Sequence, residues 1–464
     1  MSLIKSIAGV RGTIGGKIGD SLTPIDIVHI TAAFGRQVIL PFPKKLVVVG
    51  RDARPSGSMI SQLVCATLQS LGIDVIDIGL STTPTVALAV SQHQASGGIV
   101  ITASHNPAAW NALKLFNADG EYIDADTANK VFALAATGDH IFAKGNQLGK
   151  YQYQEGYIEQ HIEQILALPL VNIPAIRERK FKVIVDAVNS TGGLAVPKLL
   201  QALHVAYTGM NCNPTGLFAH DPEPITQNLG DLINELKGGE YDLGIAVDPD
   251  VDRLVIIDEK GQPWGEDYTL VAVADYVLSH TPGNTVSNLS SSSALQVITE
   301  KHGGSYAASA VGEMHVVAKM KATHAVIGGE GNGGVIYPPL HYGRDALVGI
   351  ALLLSHLAQT GKTASSLRQQ YPNYELIKTK IQLTPDVHPV AILKCIQVQY
   401  SNYPINTEEG IKVTVDGGWF HIRQSNTEPI IRIHAEGTSL EKANAIVTEV
   451  IQHIKDIFPT VKIL

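Results

Sequence analysis

One serine is placed where a serine could do chemistry. Ser104 lies in the polar segment Thr102–Pro107, which directly follows a short apolar run. Open α/β sheets bind ligands at the C-terminal ends of their strands, so a serine here could act as a nucleophile. The adjacent His105 is not expected to be its base, because neighbouring side chains usually diverge. The same cluster is also consistent with an ordinary turn, which Pro107 would favour.

A second loop carries three carboxylates within five residues, namely Asp248, Asp250 and Asp252. Like charges this close repel one another unless a cation lies among them. Alternate residues of a straight strand lie ~6.8 Å apart, so a turn must gather the oxygens for Mg²⁺. Pro249 would favour that turn. Arg253 follows directly and could bind a phosphate through its guanidinium group.

Other interpretations of this acidic loop remain open. An EF-hand would start in the same way and would find Glu259 at its twelfth position, but its sixth position needs Gly and holds Arg253. A phosphatase of the aspartyl-phosphate type would use Asp248 as its nucleophile. A solvated acidic turn would do no chemistry at all.

Two further loops carry groups suited to a phosphorylated sugar. Gly328–Gly334 lets a ligand approach the backbone, and its Glu330 and Asn332 could bind hydroxyl groups. It is not a dinucleotide fingerprint, because a β-like run follows where a helix should begin. The fourth loop, Arg423–Pro429, could cradle a phosphate together with a nearby arginine. Its candidate ligands are Arg423, Ser425, Asn426, Thr427 and Arg432. A glycine-rich hairpin and an ordinary turn are the alternatives for these two loops.

Short apolar runs alternate with longer amphipathic segments along most of the chain, which indicates α/β layers. The predicted strands are Leu46–Gly50, Gly98–Thr102, Val183–Asp186, Leu243–Val247, Leu254–Asp258 and Ala325–Gly328. Helical spacing is found in Ile60–Leu71 and Gly193–Leu203. Three strand–loop–helix segments, starting at Val47, Val183 and Val286, share one layout and predict three related α/β domains.

The pattern changes after about Ser366 to shorter β-like runs, including Gly410–Asp416, and a final amphipathic segment, Leu440–Ile457. We therefore expect a smaller α+β domain at the C-terminus. The predicted domains are 1–150 with the serine loop, 151–255 with the acidic loop, 256–368 with the glycine-rich loop, and 369–464 with the arginine loop.

The composition limits the classes of partner and location. The 464 residues are 45% apolar and carry a formal net charge of −8 without any basic run, which argues against nucleic acid as a partner. Cys65, Cys212 and Cys395 lie far apart and in no metal-ligand spacing. The most apolar segment, Ala346–Leu354, is far shorter than the ~20 residues of a membrane span, and the N-terminus lacks a signal-peptide pattern. We expect a cytoplasmic protein that binds no membrane.

The four loops, in this order in one chain, resemble the α-D-phosphohexomutase family, and the resemblance covers essentially the whole chain. The similar segments are Gly9–Thr13, Thr102–Pro107, Asp186–Ser190, His220–Pro224, Asp248–Arg253, Gly265–Asp267, Gly329–Gly334 and Arg423–Pro429. The resemblance implies three related α/β domains and a C-terminal α+β domain around a central cleft. It also implies an intramolecular phosphotransferase that acts on a hexose phosphate, as a monomer or a homodimer.

The resemblance further implies a role for each candidate residue. Ser104 would carry a phosphate and would bind Mg²⁺ with Asp248, Asp250 and Asp252, while Arg11 and Arg253 would face that phosphate. Lys114 would lie near the transferred proton, and the two arginines would keep it neutral so that it could act as a base. Glu330 and Asn332 would hold the sugar. The phosphate that does not react would be held by Arg423, Ser425, Asn426, Thr427 and Arg432.

The glycine-rich loop departs from the common family pattern Gly-Glu-x-Ser-Gly-His, because Asn332 replaces the serine and Gly334 replaces the histidine. This version resembles some prokaryotic phosphoglucosamine mutases. It therefore favours conversion of glucosamine 6-phosphate to glucosamine 1-phosphate, a precursor step to UDP-N-acetylglucosamine, with a hexose bisphosphate as activator. The alternatives are a phosphomannomutase/phosphoglucomutase of broad specificity, a sugar-phosphate phosphatase, and an inactive sugar-phosphate-binding protein.

Overall fold

The structure is a computed structural model that describes residues 2–384, 387–425 and 430–463. These residues form two compact units. The first consists of Met1–His280 and Asn332–Arg368, and the second of Thr281–Gly331 and Gln369–Leu464. The fold is of the predicted α/β class. No helix in the described part of the chain is both long and apolar enough to cross a membrane.

The N-terminal part of the first unit is a single sheet with helices packed on it. Its strands are β1 (Ile4–Ser6), β2 (Gly9–Thr13), β3 (Leu46–Arg51), β4 (Asp74–Leu80), β5 (Gly97–Ile101), β6 (Trp110–Phe116) and β7 (Tyr151–Tyr153). Its helices are α1 (Pro24–Phe34), α2 (Gly57–Ser70), α3 (Thr83–Gln92) and α4 (Ala125–Thr137). The strand order is β1-β2-β6-β5-β3-β4-β7. Strands β5, β3, β4 and β7 are parallel to one another, so the loops after β3, β4 and β5 share one edge of the sheet.

The next part of the same unit repeats the arrangement on a smaller scale. It contains α5 (Tyr157–Leu166), α6 (Ile173–Arg179), β8 (Lys182–Asp186), α7 (Gly192–Ala202), β9 (Ala206–Met210), α8 (Gly230–Gly238), β10 (Leu243–Val247) and β11 (Leu254–Asp258). The strand order is β11-β10-β8-β9, and only the β10–β11 pairing is antiparallel. Every residue of β10 and β11 is buried, which explains why both read as continuous apolar runs.

The third α/β segment is divided between the two units. Helix α9 (Glu266–His280) belongs to the first unit. The second unit then contains β12 (Asn284–Asn288), α10 (Ala294–Lys301), β13 (Tyr306–Ser309), α11 (Glu313–Thr323) and β14 (Ala325–Glu330). The chain returns to the first unit for β15 (Gly334–Ile336), α12 (Ala346–Thr360) and α13 (Ala364–Arg368). Strand β12 pairs in parallel with both β13 and β14.

The C-terminal part of the second unit is α+β, as predicted. Its elements are β16 (Glu375–Gln382), α14 (Pro389–Gln399), β17 (Ile405–Asn406), β18 (Ile411–Val415), β19 (Gly418–Gln424), β20 (Ile430–Gly437), α15 (Leu440–Ile457) and β21 (Lys462–Ile463). They form an antiparallel sheet of order β17-β18-β19-β20-β16-β21. Alternate residues of β19 and β20 face the apolar core, among them Ile422, Ile431 and Ile433, so the intervening residues share the other face.

The predicted strands and helices are confirmed within one to three residues at each end, and each of the three repeated segments is a strand–loop–helix: β3 to α2, β8 to α7, and β12 to α10. The grouping into two units cuts across the predicted third domain, 256–368, because the first unit holds its ends and the second holds its middle. The four predicted domain boundaries stay a prediction.

Candidate active site

Ser104 is held in a strained turn at the end of β5. The turn is closed by a hydrogen bond from the backbone N–H of Asn106 to the carbonyl of Ala103. Ser104 has a φ of +48°, in the left-handed region that residues with a side chain rarely adopt. Its backbone N–H donates to Thr102 Oγ1 at 2.9 Å. The loop therefore aims the serine in one fixed direction, as a nucleophile or phosphate carrier requires.

A fully buried arginine, which sequence reasoning missed, fastens this turn. Arg54 forms an ion pair of 3.0 Å with Asp52, which also accepts a hydrogen bond of 2.6 Å from Thr102 Oγ1. Its guanidinium group donates to backbone carbonyls along the serine loop, those of Ser104, Asn106, Pro107 and Trp110. One cation thus satisfies four backbone carbonyls within the serine loop and at the start of β6. A lone arginine in a polar loop gives no sequence signal that distinguishes it from a surface residue.

The acidic loop that follows β10 makes the turn that its sequence required. The N–H of Val251 donates to the carbonyl of Asp248 at 3.1 Å, with Pro249 inside the turn. Val251 has a φ of +64°, which is costly for a β-branched residue. The hydroxyls of Ser190 and Thr191 donate to the Pro249 carbonyl at 2.7 and 2.8 Å. The loop after β8 therefore fixes the acidic loop from the neighbouring strand.

The turn brings the three predicted carboxylates together. Asp248, Asp250 and Asp252 are fully buried, and one oxygen from each lies within 4.8 Å of the others. Asp250 Oδ1 and Asp252 Oδ1 are buried and accept no hydrogen bond from the described residues. Buried carboxylate oxygens without donors are costly unless a cation binds them, and an all-oxygen set suits Mg²⁺. These residues fit a magnesium ion.

The serine and acidic loops meet in the structure. Ser104 Oγ donates to Asp248 Oδ2 at 2.7 Å, although the two residues lie 144 positions apart in the chain. The other oxygen of Asp248 accepts the backbone N–H groups of Asp252 and Arg253 at 3.1 and 3.2 Å. Burial, followed by the charges of Asp252 and Asp250, raises the pKa of Asp248 well above its usual range. The serine hydroxyl and the candidate metal ligands thus form one site.

Two buried cations balance the carboxylates. Lys114 Nζ lies 2.6 Å from Asp250 Oδ2 and 3.2 Å from Asp252 Oδ2, and Arg344 Nη2 lies 2.7 Å from Asp252 Oδ2. Burial alone would lower the pKa of Lys114, but the charges of Asp250 and Asp252, together with Tyr122, raise it well above the usual value. The prediction that arginines keep Lys114 neutral is therefore wrong, because the dominant neighbours of its amine are carboxylates. Arg344 was not predicted.

Arg11 contacts the serine loop, and Arg253 follows directly after the acidic loop. Arg11 Nη1 donates to Asn106 Oδ1 at 3.2 Å, and Arg253 Nη1 pairs with Glu223 at 3.3 Å. Burial, Arg253 and Arg11 together hold the pKa of His105 well below its usual value. The prediction that the His105 side chain would diverge is also wrong, since its Nδ1 lies 3.3 Å from Ser104 Oγ.

The two predicted sugar ligands fall in different units. Glu330 ends β14 in the second unit, is 4% exposed, and accepts hydrogen bonds of 3.0 Å from Asn288 Nδ2 and from the N–H of Gly312. Asn332 begins the return of the chain to the first unit, and its Oδ1 accepts the N–H of Gly334 at 3.2 Å. Both side chains are therefore held in fixed positions, as a binding role requires.

The fourth loop places two arginines side by side. Arg423 on β19 lies directly opposite Arg432 on β20, and like charges in such a pair repel. Arg423 Nη1 pairs with Glu409 at 3.5 Å, whereas its Nε is buried and has no hydrogen-bond partner among the described residues. Burial lowers the pKa of Arg423, and Arg432 lowers it further against the opposing effect of Glu409. Ser425 continues this segment, and the predicted ligands Asn426 and Thr427 lie outside the described residues.

Comparisons with known protein families match all four parts of the chain. Residues 4–141, 156–261 and 265–374 match phosphoglucomutase/phosphomannomutase, alpha/beta/alpha domains I, II and III respectively. Residues 381–453 match the C-terminal domain of the same family. The four matches together span most of the chain and include every loop described above.

Individual relatives agree with this result over nearly the full length. The chain is 36% identical to a phosphoglucomutase/phosphomannomutase of Thermococcus kodakarensis, covering 93% of this chain and 95% of the relative. It is 34% identical to a phosphoglucosamine/phosphogalactosamine mutase of Sulfurisphaera tokodaii, covering 95% and 96%. A crystal structure of a family protein from Burkholderia thailandensis superposes with a TM-score of 0.86 at 26% identity, covering 98% of both chains.

The fold, the serine–aspartate site and the relatives define an isomerase that transfers a phosphoryl group within one molecule. The chain belongs to the phosphoglucomutase/phosphomannomutase family, the α-D-phosphohexomutases, and the predicted resemblance is confirmed.

Proposed function

We propose that this phosphohexomutase carries the transferred phosphoryl group on Ser104. The observation that carries the proposal is the contact of 2.7 Å between Ser104 Oγ and Asp248 Oδ2, within a buried set of three carboxylates. Mg²⁺ held by Asp248, Asp250 and Asp252 together with a phosphoserine oxygen would supply positive charge to the moving phosphoryl group. Phosphoryl transfer depends mainly on positioning and charge neutralisation, and the strained turn and the Arg54 contacts supply the positioning.

The remaining residues of the first unit take the roles that their surroundings favour. Arg11 and Arg253 face the phosphate on Ser104, where their guanidinium groups neutralise its oxygens. In the forward step a sugar hydroxyl attacks phosphorus, the bond from phosphorus to Ser104 Oγ breaks, and the hydroxyl proton moves to a base. Lys114 is proposed to handle that proton. The charges of Asp250 and Asp252 keep its amine protonated. Lys114 can therefore accept a proton only after another cation binds those carboxylates and lowers the pKa of the amine.

The second unit and the return segment are proposed to bind the substrate. Glu330 and Asn332 bind the sugar hydroxyls, and the arginine loop binds the phosphate that does not react. The proposed ligands of that phosphate are Arg423, Ser425, Asn426, Thr427 and Arg432. The opposed Arg423 and Arg432 support this assignment, because an anion between them would remove their mutual repulsion.

Three further parts of the proposal concern the reaction and the organisation of the chain. A hexose bisphosphate is the proposed intermediate and activator. The four domains are proposed to lie at 1–150, 151–255, 256–368 and 369–464. A monomer or homodimer stays a prediction.

The proposed substrate is glucosamine phosphate. Support comes from the Asn332–Gly334 version of the sugar loop and from relatives named phosphoglucosamine mutase, such as that of Methanopyrus kandleri, which is 30% identical over 96% of this chain. The relative from Thermococcus kodakarensis, at 36% identity, bears the broader name phosphoglucomutase/phosphomannomutase, so that specificity is the second candidate. The phosphatase alternative is disfavoured, because the relatives that match over nearly the full length of the chain are named mutases.

A coupled assay with Mg²⁺ tests the substrate. It compares glucosamine 6-phosphate, glucose 1-phosphate and mannose 1-phosphate, each with a trace of the matching bisphosphate. The highest kcat/KM is expected for the amino sugar. Equal use of all three would assign the broad specificity instead. Steady release of inorganic phosphate in the same assay would contradict a mutase and favour the phosphatase.

A further inference from the structure

One position of the glycine-rich loop holds a glycine that its backbone conformation does not require. Gly333 has a φ of +85°, which favours glycine, but the φ of Gly334 lies outside the left-handed region. What excludes a side chain at Gly334 is a neighbour. A Cβ placed there would lie 2.9 Å from Cγ of Arg344 and closer still to Cδ. The space that any larger residue would occupy is filled by the stem of that arginine.

Arg344 crosses Gly334 to reach the acidic loop. Its Nη2 lies 2.7 Å from Asp252 Oδ2, and both side chains are more than nine-tenths buried. The backbone beside it is tied to the same loop, because the N–H of Ala346 donates to the carbonyl of Val251 at 3.1 Å. Asp345 caps the start of α12 and is itself held by His161 Nε2 at 2.8 Å. The backbone that carries Arg344 is therefore held in a fixed position beside the acidic loop.

The two oxygens of Asp252 have different surroundings. Oδ2 is held by Arg344 and, at 3.2 Å, by Lys114. Oδ1 accepts no hydrogen bond from the described residues, and Arg253 Nε lies 3.9 Å from it. A carboxylate fastened through one oxygen presents the other in a fixed direction. Hydrogen-bond partners of a metal-binding carboxylate fix its orientation. Removing such a partner commonly weakens metal binding about 10–100-fold.

We propose that Arg344 is a positioning residue of the acidic loop, which turns Asp252 Oδ1 toward a divalent cation, and that Gly334 is glycine because it makes room for that arginine. The proposal rests on the metal site of the proposed function. It also accounts for one departure of this chain from its family, since position 334 is where the common pattern has a histidine.

The affinity for Mg²⁺ gives a sharper test than turnover. If Arg344 acted only through its charge, its removal would change that affinity in the opposite direction from the one the proposal predicts. Removing a cation that lies against Asp252 should strengthen Mg²⁺ binding if charge alone matters. If Arg344 positions Asp252, Arg344→Met should weaken Mg²⁺ binding about 10–100-fold. Isothermal titration of the full-length protein with Mg²⁺ alone measures this. Arg177→Met removes the same charge from an exposed helix position and should leave the affinity unchanged.

Gly334→Ala tests the steric half of the proposal while every charge stays in place. Its Cβ would displace Arg344, so the variant should also weaken Mg²⁺ binding. In the Arg344→Met background, Gly334→Ala should add less weakening than it causes in the wild type, since the two positions act through one contact. Gly230→Ala is the matched control, because a Cβ there meets no atom within 4 Å. If Arg344→Met does not fold, Gly334→Ala carries the test.

The outcomes separate this inference from the function on which it rests. Wild-type protein that binds no Mg²⁺, with no change in Asp250→Asn, would overturn the metal site itself. Normal wild-type binding, with Arg344→Met equally tight or tighter, would overturn only the positioning role. Fully additive effects of the two substitutions would overturn the link between Gly334 and Arg344. If Arg344→Met lowered the melting temperature and left the dissociation constant for Mg²⁺ unchanged, Arg344 would stabilise the fold without positioning Asp252.

Discussion

In the first unit, the charges of the acidic loop are balanced by cations of the protein itself. Lys114 lies against Asp250 and Asp252, and Arg344 lies against Asp252. In the second unit, two like charges of the arginine loop lie opposite each other on neighbouring strands. Arg423 faces Arg432 across two strands, and the carboxylate of Glu409 lies 3.5 Å from Arg423.

The difference indicates two kinds of binding site. A balanced, fully buried cluster keeps its geometry without a ligand, which suits groups that must hold a reacting phosphorus atom in place. An anion that binds between two opposed arginines removes their mutual repulsion. Such a pair suits a loop that must take up and release a phosphate. Substitutions in the first unit should therefore reduce turnover or folding, and those in the second should reduce substrate affinity.

Apart from loss of Ser104 itself, the largest effect on turnover is expected at Lys114. Lys114→Met should lower kcat by about 10²–10⁴-fold, the range for loss of a general acid–base group, with a smaller change in KM. Steady-state kinetics at saturating bisphosphate measures both constants. Lys198→Met, which removes an exposed lysine paired with Glu159, serves as the control. Near-normal kcat in Lys114→Met would rule out its proposed role in proton transfer.

The largest effect on stability is expected at Arg54. Arg54→Met breaks a buried ion pair with Asp52 and leaves backbone carbonyls of the serine loop without donors, so the free energy of unfolding should fall by about 3–5 kcal/mol. Urea unfolding followed by circular dichroism measures this. Arg51→Met is a close control, because Arg51 is half-buried and donates one hydrogen bond of 3.3 Å to the Asp52 carbonyl. A loss no larger than that of Arg51→Met would contradict the role given to Arg54.

The second unit should show its effect in KM. Arg423→Met removes one of the two arginines proposed to bind the phosphate, so KM should rise about 10–100-fold while kcat changes less. Arg179→Met, at the exposed C-terminal end of α6, should leave KM unchanged. If Arg423→Met instead lowered kcat alone, the contrast between the two units would be wrong.

The smallest effect concerns pH. Burial, with the nearby cations Lys378 and Arg423, lowers the pKa of His434 from 6.5 to about 3. A lowered pKa contributes stability above the unfolded value, and this is lost as the pH falls from about 6.5 toward about 3. His434→Gln should therefore lose about 1–2 kcal/mol less than the wild type between pH 7.5 and pH 5. Urea unfolding at the two pH values checks this, and identical pH dependence would contradict it.

The sequence predicted each loop but not how the loops meet. Three aspartates within five residues predict a cation site, because their mutual repulsion needs an explanation, although a solvated acidic turn also fitted the sequence. The contact between Ser104 and Asp248 joins residues 144 positions apart and came only from the family resemblance. The strand–loop–helix repeats were readable because buried parallel strands are continuous apolar runs.

The missed residues share one physical cause. Arg54 and Arg344 act from inside the protein, yet a single arginine in a loop resembles a solvated one until its partners are known. The pKa of Lys114 was predicted to shift in the wrong direction, because the sequence does not show that Asp250 and Asp252 are its neighbours. His105 was set aside on a general rule, and the left-handed φ of Ser104 is the local exception to it.

The central claim is that Ser104 carries the phosphoryl group. The most direct measurement is intact and peptide mass spectrometry of wild type and Ser104→Ala after incubation with Mg²⁺ and glucosamine 1,6-bisphosphate. The account predicts one phosphate on the wild-type peptide that contains Ser104, and no phosphate and no mutase activity in Ser104→Ala. Phosphate bound elsewhere, above all on Asp248, or full activity without Ser104, would contradict it.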